Sequence, residues 1–207
     1  MIKLYGMTLS AHTRKIQTAL LDLGLSYELV VVDLTKGDQH NPEYVKLNPG
    51  AKTPTLVDGD LVVIESNAIL TYLADTYGKG KLIAESGADR WQTIQWLTWN
   101  GSEGHGPLSR PWYVKILYPL MGMPLDHAAL EKSHADAQVP LKLLDRVLSC
   151  QNYFGGSSYS VADIAMAESV FLTQWGGVDT SIYPNVTRWF LDVTSRDSYK
   201  ATRFPPH

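Results

Sequence analysis

Ser10 stands shortly after a run of strand-forming residues, Ile2 to Tyr5, and just before a helical pattern that starts at Arg14. It reads as a helix cap, or as a hydroxyl that donates to a thiolate. A neutral hydroxyl is no base, but it bonds S⁻ better than SH and so lowers a thiol pKa; a helix N-terminus acts in the same direction. Moving that pKa from ~8.5 to ~6.5 raises the thiolate fraction at pH 7 from roughly 3% to roughly 75%. Glu65-Ser66 closes a strand pattern and opens a helix. Ser66 is a natural N-cap. The same helix end, with its free N–H groups and positive dipole, is also an anion site, and Glu65 beside it suits an ammonium. Together they fit an amino-acid headgroup, which carries both charges.

Thr53-Pro54 opens another strand, where the missing N–H of proline costs least. An ordinary trans proline fits there. A cis peptide would expose the Thr53 backbone to an extended peptide, which pairs as an added strand does. His40 and Lys52 lie in the loop region before this strand. Each alone reads as a solvated surface side chain; jointly they would neutralise a second carboxylate. Ser160-Val161-Ala162-Asp163 is a capping box with a structural role. His105 has no partner at metal spacing, so no metal site is expected.

The elements that position these residues change character near residue 80. Ile2 to Tyr5 predicts a strand. Arg14 to Leu23 predicts a helix, with Ile16, Ala19, Leu20 and Leu23 on one face and Gly24 as its stop. Tyr27 to Leu34 predicts a buried strand. Thr53 to Val57 and Leu61 to Glu65 predict two more, joined across Asp58-Gly59-Asp60. Ala68, Ile69, Tyr72, Leu73 and Ala74 then recur at helical spacing. The order is β-α-β, a loop region, then β-β-α. Residues 79–88 read as a linker. Beyond it only helices are expected, at Asp89 to Asn100, Ala128 to Leu148, Val161 to Trp175 and Val186 to Thr194. This gives a small α/β domain over 1–78 and an all-helical domain over 89–207.

The chain of 207 residues has 18 basic against 21 acidic side chains and a net charge of −3. This balance does not suggest a nucleic-acid partner. With 44% hydrophobic and 19% charged residues the composition is that of a folded globular protein. The longest apolar runs are strand-sized, and the N-terminus has no signal-peptide pattern, so a cytoplasmic protein with no membrane association is expected. The one cysteine, Cys150, excludes an intrachain disulfide and reads as buried and inert.

Four stretches carry a family resemblance: Lys3-Leu4-Tyr5-Gly6-Met7-Thr8-Leu9-Ser10, Asn48-Pro49-Gly50-Ala51-Lys52-Thr53-Pro54-Thr55-Leu56, Glu65-Ser66-Asn67-Ala68-Ile69 and Ser160-Val161-Ala162-Asp163-Ile164. In this order they resemble the cytosolic glutathione transferases of the serine type, the phi, theta and related bacterial classes. The resemblance covers nearly the whole chain. It implies a thioredoxin-like domain joined to a helical one, a homodimer, and transfer of the thiol of reduced glutathione to a hydrophobic electrophile without a metal. It assigns Ser10 to thiolate stabilisation, with Thr8 and Thr13 as alternative donors. It gives the Thr53 backbone to the cysteinyl part of glutathione, with Pro54 cis, and Glu65 and Ser66 to the γ-glutamyl part. His40 and Lys52 approach the glycine carboxylate. Thr53 stands where Val or Ile is more usual, Asn41 where phi members often carry lysine, and Gly50-Ala51 replaces a common Phe-Gly. No cysteine occupies positions 8 to 14, which counts against the cysteine-type classes.

In the family the electrophile lies between the Ser10 loop and the first long helices of the second domain. Here those carry Trp96, Trp99, Asn100, Glu103, His105, Trp112 and Tyr113. Aromatic side chains suit planar apolar substrates. Trp96 reads as core, whereas Trp99, Asn100 and a Gly101 to Pro111 loop read as the pocket. The same scaffold would also serve a glutathione-dependent peroxidase or disulfide reductase, or a non-catalytic carrier of glutathione or hydrophobic ligands.

Overall fold

The structure is a computed structural model that describes residues 1–203; residues 204–207, which the sequence reading counts with the helical domain, lie outside the described residues. Two compact units are present, one from Met1 to Glu85 together with the stretch from Asp197, the other from Ser86 to Arg196.

The first unit holds a four-stranded sheet in the order β2-β1-β3-β4. Its elements are β1 (Ile2–Gly6), α1 (Ala11–Asp22), β2 (Tyr27–Val31), α2 (Pro42–Leu47), β3 (Thr55–Asp58), β4 (Leu61–Ile64) and α3 (Ser66–Tyr77). β1 runs parallel to β2 and antiparallel to β3, and β3 is antiparallel to β4. β1 alternates as a strand must. Ile2 and Leu4 are buried on one side, while the Tyr5 ring, on the other, meets Tyr44 of α2 at 6.1 Å. α1 and α3 pack against each other and against the sheet.

Two differences from the sequence reading have local causes. β2 stops at Val31, short of Leu34, because the chain turns at once: the Asp33 N–H donates to the Asp38 carboxylate at 3.0 Å, and the Asp33 carboxylate accepts from Thr35. The loop region before β3 contains a short 3₁₀ turn at Asp38–His40 and then α2. The signal for α2 is present in Asn41-Pro42-Glu43. The Asn41 side chain accepts from the Glu43 N–H at 3.0 Å, and Pro42 sits in the first helical turn, where no N–H is needed.

The second unit comprises α4 (Gly87–Trp99), α5 (His105–Trp112), α6 (Tyr118–Leu120), α7 (His127–Leu148), α8 (Val161–Trp175) and α9 (Pro184–Thr194). The segment from Gly101 to Pro111, expected as a loop, is helical. Wide π turns at Asn100–Gly104 and Tyr113–Leu117 join α4, α5 and α6 into one run. Such turns absorb what a regular helix rejects. Pro111 inside α5 has no N–H to give. Gly104 is required because a Cβ there would overlap the Trp99 ring.

α8 is buried over most of its length and forms the centre of this unit. Asp163 anchors it. One carboxylate oxygen accepts from the Phe154 N–H and the Trp189 indole N–H, both at 2.8 Å. The other accepts from the Ser160 N–H at 2.9 Å and its hydroxyl at 2.8 Å, completing the capping box. Phe154 meets Trp189 at 5.0 Å and Trp96 at 5.1 Å, so Trp96 is core, as expected. The final helix, α10 (Asp197–Ala201), belongs to the first unit, although the sequence reading counts it with the helical domain. There Tyr199 lies 4.9 Å from the buried Arg14 guanidinium, and Thr202 is hydrogen-bonded to Thr18 at 3.0 Å.

Burial pushes the Asp163 carboxyl up to about 6, while its four hydrogen bonds pull it back down. The folded chain therefore holds this proton between pH 4 and 6, where the unfolded chain has released it. Stability from Asp163 is highest below about pH 4 and falls by up to about 3 kcal/mol as pH rises through 6. In urea titrations, the stability advantage of wild type over Asp163→Asn should shrink as pH rises from 4 to 6.5 and stay constant above.

Candidate active site

Strand register sets the geometry. Tyr5 pairs with Thr55, and Thr55 with Ile64. The C-terminal end of β1, the N-terminal end of β3 and the C-terminal end of β4 therefore share one edge of the sheet. β2 adds its own C-terminal end there, since Gly6 pairs with Val31. Strands lie ~4.8 Å apart, so the row Tyr5, Thr55, Ile64 spans about 10 Å. Three segments leave the sheet along that row: Met7–Ser10, Lys52–Pro54 and Glu65–Ser66.

Ser10 caps α1 in an extended conformation, and its oxygen accepts from the Thr13 N–H at 3.4 Å. A hydroxyl used this way keeps its proton to donate elsewhere. Thr8 is exposed, and Thr13 is fully buried against Gly6, where a Cβ would overlap it.

The Thr53–Pro54 peptide is cis. Its approach is fixed by two residues that the sequence reading did not single out. The Asn48 amide donates to the Lys52 carbonyl at 2.8 Å and to the Thr55 hydroxyl at 3.1 Å. Tyr44 donates its hydroxyl to the same Lys52 carbonyl at 2.5 Å, and burial pushes its phenol up. The Gly50 N–H closes the turn onto the Asn48 side chain at 3.0 Å. Asn48-Pro49-Gly50 is a turn signal in the sequence, but nothing there says that its side chain reaches forward to the next strand. The Lys52 side chain is exposed, as is His40 at the end of the 3₁₀ turn.

Glu65 adopts φ 65°, a conformation that L residues other than glycine rarely hold. Such strain gathers at functional sites. Ser66, expected as the N-cap, lies inside the first turn instead, and Glu65 takes the cap position. No side chain caps this end. The two helix starts are tied together. The Ser66 hydroxyl lies 3.4 Å from His12 Nδ1, and Lys15 donates to the Asn67 side chain at 2.6 Å. His12 and Lys15 were also missed; both sit at helical spacing that only the α1–α3 packing turns toward α3.

A family model for the glutathione S-transferase N-terminal domain matches residues 1–75, and one for the C-terminal domain matches residues 111–197. The chain is 36% identical over 197 residues to glutathione S-transferase F10 of Arabidopsis thaliana, covering 93% of this chain and 92% of that protein. The chain belongs to the glutathione S-transferase family. It is 31% identical over 205 residues to glutathione S-transferase GstB of Escherichia coli K12, covering 97% and 96% of the two chains. Among solved structures, glutathione transferase URE2P8 of Phanerochaete chrysosporium, crystallised with oxidized glutathione, is 30% identical with a TM-score of 0.85 over 97% of this chain and 92% of that one. Glutathione transferase F7 of Populus trichocarpa is 26% identical with a TM-score of 0.89 over 98% and 97%. These likenesses agree with the thioredoxin-like and helical architecture expected of a glutathione S-transferase.

Within the helical unit of this glutathione S-transferase, the expected pocket residues separate. Trp99 and Glu103 line an open cleft of about 650 Å³ together with Arg110, Val139 and Leu143. Asn100 is not a surface residue. It is 2% exposed and donates to the Ser169 hydroxyl at 2.9 Å, and His105 Nδ1 shares that hydroxyl at 3.0 Å. The π turn that begins at Asn100 turns it to α8, which a loop reading of this segment concealed. Trp112 meets Tyr113 edge-on at 5.3 Å and Trp175 at a tilt at 5.8 Å, and burial pushes the Tyr113 phenol up. Cys150, expected as buried, is exposed, because α7 ends at Leu148 and the chain turns outward after it.

Replacing Asn48 with alanine removes both donors and leaves the Lys52 carbonyl to Tyr44 alone. Asn48→Ala should lower unfolding free energy in urea by about 1–3 kcal/mol.

Proposed function

We propose that the sheet edge binds reduced glutathione and that the protein conjugates its thiolate to hydrophobic electrophiles. The observation that carries this reading is the row Tyr5, Thr55, Ile64, which brings a hydroxyl, a strand-edge backbone and an uncapped helix start to one line. An extended tripeptide also spans about 10 Å. In this reading Thr53, held by the cis Pro54, pairs with the cysteinyl backbone. The α3 N-terminus and Ser66 take the γ-glutamyl carboxylate, and Glu65 takes its ammonium. His40 and Lys52 meet the glycine carboxylate, and Ser10 donates to the sulfur. Rate then comes from thiolate stabilisation and proximity, with no metal ion. Aromatic side chains of the helical unit, Trp112 and Tyr113 among them, receive the electrophile. The exposed Val139 and Leu143 beside Trp99 give that unit an apolar face of the kind a second copy covers, which supports a homodimer. The protein works in the cytoplasm.

A second reading follows from two solved relatives crystallised with oxidized glutathione. In it the same thiolate attacks a disulfide or peroxide, and a substrate panel separates the two.

The test is retention on immobilised glutathione, followed by titration of the bound thiol through its ultraviolet thiolate absorbance. Retention with a depressed thiol pKa supports the enzyme; retention with an ordinary pKa supports a carrier; no retention refutes the site. Ser10→Ala should lower turnover by roughly 25-fold, the loss in thiolate fraction at pH 7, with a smaller change in glutathione affinity. Equal turnover would move the donor to Thr8 or Thr13. The double change Glu65→Ala with Ser66→Ala should weaken glutathione binding by roughly 100- to 10,000-fold in calorimetry, since it removes two charge-assisted contacts worth about 1.5–3 kcal/mol each.

A further inference from the structure

Ser66 has one hydroxyl proton, and two partners compete for it. His12 Nδ1, from the first turn of α1, lies 3.4 Å from Ser66 Oγ. If Nδ1 carries a lone pair, Ser66 donates to it and has no proton left for a ligand. If Nδ1 carries a proton, His12 donates, Ser66 accepts, and the hydroxyl proton is released from the ring for a ligand at the start of α3. An imidazolium makes the second arrangement obligatory, because both ring nitrogens are then donors.

Resting on the glutathione reading above, we infer that His12 is a positioning residue that sets the hydrogen-bond direction of Ser66, so that its protonation tightens the hold on the γ-glutamyl carboxylate. The step is a proton taken up by the imidazole and a rotation of the Ser66 hydroxyl; no bond to the ligand forms or breaks. On α1 the next turn brings Lys15, whose ammonium is committed to Asn67, while Arg14 is turned to Tyr199 of α10. On α3 the neighbour is Glu65. The Lys15 ammonium and the positive ends of α1 and α3 oppose a charge on His12; the Glu65 carboxylate favours it.

The experiment measures binding of S-methylglutathione, which has no thiol to titrate, by calorimetry from pH 5.5 to 8. Wild type should bind about tenfold tighter at pH 5.5 than at pH 8, the scale of one charge-assisted hydrogen bond. In a His40→Gln background, which removes the other imidazole placed on the ligand and should keep most of the wild-type change, the added substitutions His12→Gln and His12→Ala should leave a variation of less than about twofold over the same range. Ser66→Ala in that background should be equally flat, because it removes the hydroxyl through which His12 acts. A flat wild-type profile, or a slope retained in the His12 variants, overturns the inference. By linkage, the ligand must also raise the wild-type His12 titration followed by NMR by about one pH unit. An unmoved titration overturns the inference without recourse to any variant. Absence of binding by wild type at every pH overturns the glutathione reading itself, which distinguishes the two failures.

Discussion

Everything in the candidate site hangs on the pairing of β3 with two neighbours at once. Thr55 faces Tyr5 on one side and Ile64 on the other. Because side chains alternate along a strand, a slip of one residue in either ladder would turn the buried Leu56 outward and carry the Thr53–Pro54 bend away from its neighbours. The apolar alternation that builds the core therefore also places the polar groups. No polar contact has to choose the register; the burial of Leu4 and Leu56 chooses it. The local hydrogen bonds of Tyr44 and Asn48 then only refine a position that the sheet already dictates.

The helical unit solves a different problem. α8 is buried nearly all round, so burial alone leaves its rotation and entry angle loosely defined. Asp163 removes that freedom by joining the helix start, the Phe154 backbone and the Trp189 indole through one carboxylate. The arrangement costs desolvation, which the raised carboxyl pKa records. What it secures is a single packing of Trp96, Phe154 and Trp189.

The sequence read well wherever the determinants were local. The β-α-β and β-β-α order, the hairpin at Asp58-Gly59-Asp60 and the bounds of α8 follow from periodicity, turn chemistry and a capping box. It read poorly wherever a contact spans the chain. Asn100 looked like a pocket residue until α8 brought Ser169 to it across 69 positions. His12 and Lys15 drew no notice in the sequence, because only the arrival of α3 beside α1 gives them partners. Glycines and prolines between Gly101 and Pro111 suggested a loop because single-residue propensities cannot register a π turn, which spreads the misfit over a helical run.

Glu65 is the residue that a stability screen would discard. Its backbone sits where glycine would rest without strain, and its side chain is exposed with no core to support. Any library sorted only for heat resistance is biased to replace it, at a gain on the order of 1 kcal/mol. A thermostabilised version of this enzyme obtained blindly would therefore arrive without the carboxylate proposed for the ligand ammonium.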